Sequence, residues 1–143
     1  MPRKGQKRQG PASPGRSRER VTGIGGVFWK AADPDALRDW YVERLGLPLD
    51  ETGVIVVPWK GADGTPGSTV VAPFPAETTY FAPSEAPYMI NLRVADLDAM
   101  LVQLRAEGCT VLDRVEEMEF GRFGWVLDPE GNKIELWEPA EGI

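Results

Sequence analysis

One pattern occurs twice in this chain, and that constrains its fold more than any other feature. The segment GVFWKAADPDALRDWYVERLG (Gly26–Gly46) aligns with MINLRVADLDAMLVQLRAEG (Met89–Gly108). Asp33 falls on Asp96, Asp35 on Asp98, Ala36 on Ala99, Leu37 on Met100 and Gly46 on Gly108, with one residue inserted in the first copy. Lys30 and Arg93 also coincide. A repeated supersecondary unit buries its apolar face against its twin, so the two copies belong to one body.

Each copy reads as a strand followed by a helix. Ile90, Leu92 and Val94 alternate with Met89, Asn91 and Arg93, as Val27, Trp29 and Ala31 alternate with Gly26, Phe28 and Lys30. Asp33 and Asp96 are expected N-caps, with Pro34 at a first helical position. Leu37, Trp40, Tyr41 and Leu45 form one apolar helix stripe; Leu97, Met100, Leu101 and Leu104 form the other. Gly46 and Gly108 are expected stops.

Shorter strands follow each helix. The first copy offers GVIVVPW and STVVAPF, split by the turn-rich KGADGTPG, with TTYFA as a further extended piece. The second offers TVLDRVEEMEF, GRFGWVL and KIELWEP, the last two joined by the turn DPEGN. The expected class is α+β: two tandem βαβββ units, about 22–83 and about 88–140, forming curved mixed sheets around a concave cavity. They make one domain over 21–143. One sheet face carries Ile90, Leu92, Val94, Ile134 and Leu136 toward a helix. The other carries Gly26, Phe28, Met89, Asn91, Arg93, Glu135 and Trp137, a mixture suited to a small-molecule pocket.

Charge divides the chain. Residues 1–20 carry +6 while the whole carries −6, leaving −12 for the remainder. A body this acidic is a poor partner for nucleic acid. The basic tail lacks a large apolar residue after Met1, so residues 1–20 are expected to be unstructured. Neither a membrane-length apolar run nor a signal-peptide core is present, which places the chain in the cytoplasm. The single Cys109 fits that compartment and is expected as a small buried hydrophobe. GIGG (Gly23–Gly26) precedes a strand, whereas dinucleotide-binding glycines follow one.

The paired units resemble the vicinal oxygen chelate (VOC) superfamily, which includes glyoxalase I, bleomycin-resistance proteins and extradiol dioxygenases. GRFGWVLDPEGNKIELWEP carries the resemblance most specifically and RVADLDAMLVQLRAEG supports it; both recur in bacterial members described as glyoxalase-like. The resemblance covers about residues 22–140 and implies a homodimer. It also implies four metal-ligand positions on the first and last strands of each unit, here Gly26, Val71, Met89 and Glu135. Only Glu135 is a ligand type, and the chain has no histidine. Zinc needs three or four protein ligands. Mg²⁺ or Ca²⁺ would have only Glu135, Asn91, waters and substrate oxygens. No tightly bound transition metal and no cofactor are expected.

Glu135 then has three readings: a structural carboxylate paired with arginine, a general base raised by an apolar wall, or a ligand anchor. Phe28, Trp125 and Trp137 are candidates to stack a planar ligand or to pack as core. Asn91 is a candidate ligand contact, because a buried amide needs partners. Arg122 is a candidate carboxylate or phosphate clamp, or the partner of Glu117, Glu119 or Glu135. Arg93 is a ligand contact or a partner of Glu135. The leading functional reading is a binding module for a small organic molecule. The competitors are a metal-independent isomerase, epimerase or cyclase using Glu135, a divalent-metal-dependent lyase or dioxygenase, and a purely structural dimerisation module. None of the expected partners is a nucleic acid or a membrane.

Overall fold

The computed structural model describes residues 18–143. The elements follow as β1 (Val21–Ala31), α1 (Pro34–Leu45), β2 (Ile55–Lys60), β3 (Pro66–Pro75), β4 (Tyr88–Val94), α2 (Leu97–Ala106), β5 (Thr110–Met118), β6 (Gly121–Leu127) and β7 (Lys133–Pro139). The strands form one mixed sheet in the order β2-β3-β1-β4-β7-β6-β5.

The repeat is visible in the register. β1 runs parallel to β3, with Phe28 opposite Ala72. β4 runs parallel to β7, with Asn91 opposite Glu135. β1 and β4 join the halves antiparallel, with Val27 opposite Ile90. Caps set the helices as expected. Asp33 accepts the Ala36 N–H at 3.1 Å and Asp96 the Ala99 N–H at 3.0 Å. Gly46, at φ 72°, closes α1 in the left-handed region.

Unit one is shorter than the expected βαβββ. After α1 it has only β2 and β3, and the missing strand survives as a Leu49–Ile55 bridge. TTYFA (Thr78–Ala82) is a succession of turns, closed by Thr78 N–H on Pro75 O and Ala82 N–H on Thr79 O. Prolines 75, 83 and 87 bracket this segment and remove ladder donors.

The helices differ accordingly. α2 packs on β5, β6 and β7 and builds a core from Val94, Leu97, Met100, Leu101, Val126 and Leu136. α1 rests chiefly on β3 and β1 and buries no residue fully. Trp40 and Leu45, expected in its apolar stripe, are 48% and 58% exposed. Tyr41 alone reaches the sheet's aromatics, edge-on to Trp29 at 5.6 Å. With one strand fewer, α1 has less sheet beneath it. Val27 and Ile90 share the helix-side face yet remain exposed, because neither helix covers the β1–β4 seam.

Cys109 is exposed rather than buried; its N–H caps α2 on Leu104 O at 3.0 Å. Most of the basic tail, residues 1–17, lies outside the described residues. From Arg18 on, the chain is tied to α2: Arg18 pairs with Glu107 at 2.7 Å, and the Glu19 main chain exchanges two bonds with Gln103.

Leu97 is fully buried under α2, whereas Val102 on the same helix is 67% exposed. Leu97→Ala should cost about 2–5 kcal/mol in chemical denaturation, and Val102→Ala about 0.5 kcal/mol or less. Equal losses would mean that α2 does not dock as described.

Candidate functional site

Parallel pairing of β4 with β7 sets Asn91 beside Glu135 and Arg93 beside Trp137. Strand alternation aims all four away from α2. On this concave face Phe28, Phe81, Met89 and Trp125 form a second buried cluster. The Thr78–Ala82 turns lie across it: Phe81 is 1% exposed, and Tyr80 stands edge-on to Trp125 at 6.3 Å.

Glu135 is 3% exposed at the centre. Its Oε1 accepts the Asn91 amide at 2.7 Å. Its Oε2 accepts the Trp125 indole N–H at 3.0 Å and the Tyr80 hydroxyl. Burial holds its carboxyl above the usual carboxylate range, opposed by the bonds from Tyr80, Asn91 and Trp125 and by the charge of Lys133. Tyr80 is itself pushed up, first by burial and then by the Glu135 charge. Lys133 is buried over the Tyr80 and Trp125 rings, at 5.1 and 5.4 Å, and donates to Tyr80 O at 2.7 Å. Burial, then Arg114, lowers its pKa. Asn91 Oδ1 is buried without a hydrogen-bond partner among the described residues.

The structure brings Phe28, Asn91, Trp125 and Glu135 together but closes them in. Phe28 is core, against Phe74 at 5.3 Å. Arg93 does not pair with Glu135. Its guanidinium lies between the Trp59 and Trp137 rings, 5.6 and 4.9 Å from their centres, and donates to Ser68 O at 3.3 Å and Ile143 O at 2.9 Å. Trp137 donates to Phe120 O at 3.0 Å and stacks on Phe123. Arg122 points the other way. It has the parity of Gly124, which faces Leu97 and Leu101, and its charge meets Asp98 at 2.9 Å, Glu138 at 3.7 Å and Glu117 at 3.8 Å. It is a helix-side ion-pair centre, not a clamp on the concave face.

Sequence reasoning missed Tyr80, Phe81, Lys133 and Trp59. Lys133 was findable, because it shares strand parity with Glu135 and Trp137. Tyr80 and Phe81 were not, because their segment has no periodicity.

Register also corrects one metal-ligand position. Ala72 faces Phe28 as Glu135 faces Asn91, so Ala72, and not Val71, is the counterpart of Glu135. The four positions are then Gly26, Ala72, Met89 and Glu135. They offer one carboxylate, with both oxygens engaged by protein donors. Among the described residues no three His, Cys, Asp or Glu side chains gather. This donor set does not fit a transition metal.

Open space flanks the closed centre. A cavity of about 820 Å³ lies between the β2–β3 hairpin and the end of β7, lined by Trp59, Asp63, Thr65, Ser68, Arg93 and Glu138 among others. A smaller one, about 320 Å³, opens beside Tyr80, Arg114, Trp125 and Lys133.

The raised Glu135 pKa has a definite sign. The folded state holds this proton more tightly than the unfolded chain, so stability is fully present below the ordinary value of 4.5 and is lost as pH rises through the folded value. Glu135→Gln should remove that part of the pH dependence, so its stability relative to wild type should rise with pH above 4.5. Parallel curves for the two proteins in urea denaturation at several pH values would refute this.

Residues 26–137 match the glyoxalase-like domain family. Among solved structures the fold is similar to methylmalonyl-CoA epimerase from Mycobacterium tuberculosis, at 24% identity and TM-score 0.55, over 84% of this chain and 89% of that one. It is similar to the Streptomyces coelicolor epimerase bound to 2-nitronate-propionyl-CoA, at 21% and 0.61, over 85% and 99%. A methylmalonyl-CoA epimerase bound to methylmalonyl-CoA and NH4+ gives 20% and 0.62, over 85% and 97%. At these identities the likeness speaks for fold alone. No curated protein sequence matches the chain. No described helix is long and apolar enough to cross a membrane. With the family match spanning most of the chain, and the curled sheet of paired units beneath it, the protein belongs to the glyoxalase-like domain family of the VOC superfamily.

Proposed function

We propose that this protein binds a small organic molecule on its concave face without a tightly held metal. The supporting observation is the contrast along β4 and β7. At Asn91 and Glu135 the face is closed and its one carboxylate is fully bonded. Two residues further along β4, Arg93 borders a cavity of about 820 Å³. That volume suits a small ligand. Phe28 and Met89 fill the centre, as a purely structural module would require, but the cavity beside Arg93 is not accounted for by packing. A cytoplasmic homodimer belongs to the same proposal. The lone Cys109 supports the compartment, and exposed Trp40, Leu45, Val27 and Ile90 supply apolar surface for a second copy.

A metal-independent epimerase, isomerase or cyclase using Glu135 is the second reading. Its support is the raised carboxyl pKa and a fold shared with epimerases. Against it, three donors already hold the carboxylate and Tyr80 covers it, so proton abstraction needs the Tyr80 segment to move.

Thermal unfolding of the purified protein against divalent metals and a metabolite library separates these readings. A ligand specific for the folded state raises the midpoint. We expect shifts with organic compounds and none with metals. A stoichiometric metal found by elemental analysis, together with metal-induced stabilisation, would overturn the proposal. Glu135→Gln should retain ligand binding; loss of turnover with binding intact would favour the enzyme reading.

A further inference from the structure

We propose that Lys133 is a reactive amine that condenses with a small aldehyde or ketone held in the cavity beside Tyr80 and Trp125. This concerns the smaller of the two cavities. It goes beyond the reversible binding proposed above and does not rest on it.

Lys133 opens β7 with the strand parity of Glu135 and is 7% exposed. Its side chain lines the cavity, with Nζ over the Tyr80 and Trp125 rings. The Nζ bond goes to a neutral main-chain oxygen, that of Tyr80. Lys133 is in no ion pair among the described residues. An amine that has lost its charge keeps N–H groups, so its tie to the Tyr80 turns survives deprotonation.

Charged groups face it from two strands. On β5, Arg114 shares the Trp125 ring, 4.6 Å from its centre, and pairs with Glu116 at 3.2 Å. On β7, Glu135 has its oxygens taken by Asn91, Trp125 and Tyr80. Burial first and then Arg114 push the Lys133 ammonium toward losing its proton, against Glu135 and Glu116. A lysine out of water and beside a second cation is the arrangement that frees an amine lone pair near neutral pH.

The space suits a small carbonyl compound. The cavity holds about 320 Å³, with Ala82, Leu112 and the Trp125 ring as apolar walls. The uncharged amine adds through its lone pair to the carbonyl carbon. The carbonyl oxygen then leaves as water with the two amine hydrogens, and a C=N bond replaces the C=O bond. Nothing is oxidised or reduced. A lysine with a purely structural role would instead be kept as the ammonium by its two rings and would react slowly.

Butanal with cyanoborohydride, added to the full-length protein, traps each imine as a stable alkylamine that peptide mass spectrometry assigns to its lysine. At pH 7 Lys133 should be alkylated about tenfold faster than exposed Lys60, the ratio that a pKa one unit lower gives. The advantage should shrink as pH rises toward the ordinary lysine value of 10.5 and vanish in denaturant. Arg114→Gln removes the repelling cation and should slow Lys133 several-fold. Glu116→Gln removes an anion and should speed it. Opposite signs in the two variants are not what a loss of packing produces, and the wild-type ratio decides even if a variant folds poorly. Lys133 reacting no faster than Lys60 at pH 7, or at one rate in both variants, would overturn the proposal and leave Lys133 a structural tie. Either result leaves binding beside Arg93 to be judged separately by thermal unfolding.

Discussion

The buried carboxylate of Glu135 is the constraint around which the concave face is organised. An ionised group this far from water needs donors, and the chain supplies them from three separate places. Asn91 comes from β4, Trp125 from β6 and Tyr80 from the turns after β3. The last is the costliest to arrange, because it folds an irregular segment across a sheet. Phe81 and Lys133 then complete the closure, one by filling apolar space, the other by donating to the Tyr80 carbonyl. A position that resembles a metal ligand from the sequence is, in the fold, a tie between strand and strap.

The architecture was legible wherever it rests on periodicity. The repeat announced two equivalent strand–helix units, and strand alternation separated the α2 side from the concave side correctly at Leu92, Val94, Leu136, Asn91 and Glu135. Aspartate caps and Gly46 fixed the helix ends. The errors lie where periodicity does not decide. A helical stripe on α1 says which residues share a side, not whether sheet lies beneath it, so Trp40 and Leu45 were misplaced. Aligning final prolines put Val71 against Glu135, but hydrogen-bonded register sets the match at Ala72, one residue on, and a one-residue slip changes the face. Arg122 followed the same rule: its parity assigns it to α2.

The bonds that stabilise Glu135 also limit its chemistry. Each donor lowers the carboxylate's proton affinity, working against the burial that raises it. A carboxylate with three donors and no water access is a support before it is a base. For that reason the Tyr80 segment, rather than Glu135 itself, separates a binding module from an enzyme: only its displacement exposes the group.

Divergence between the two halves explains where the polar surface went. Register makes Phe28–Ala72 the counterpart of Asn91–Glu135, and Lys30–Phe74 the counterpart of Arg93–Trp137. In unit one the counterparts of Asn91, Glu135 and Trp137 are apolar and Lys30 alone keeps a charge, while Phe28 packs on Phe74. In unit two the concave positions kept an amide, a carboxylate, a guanidinium and an indole. A symmetric face would have offered two equivalent sites or one on the axis between them. Filling unit one and the axis with Phe28, Met89 and Phe81 leaves the far end of unit two, beside Arg93, as the larger place where charge and open volume coincide. The glycines that admit Trp59 come from β1 and β3, and Asp63 comes from the β2–β3 hairpin, so unit one still contributes both wall and charge to that cavity.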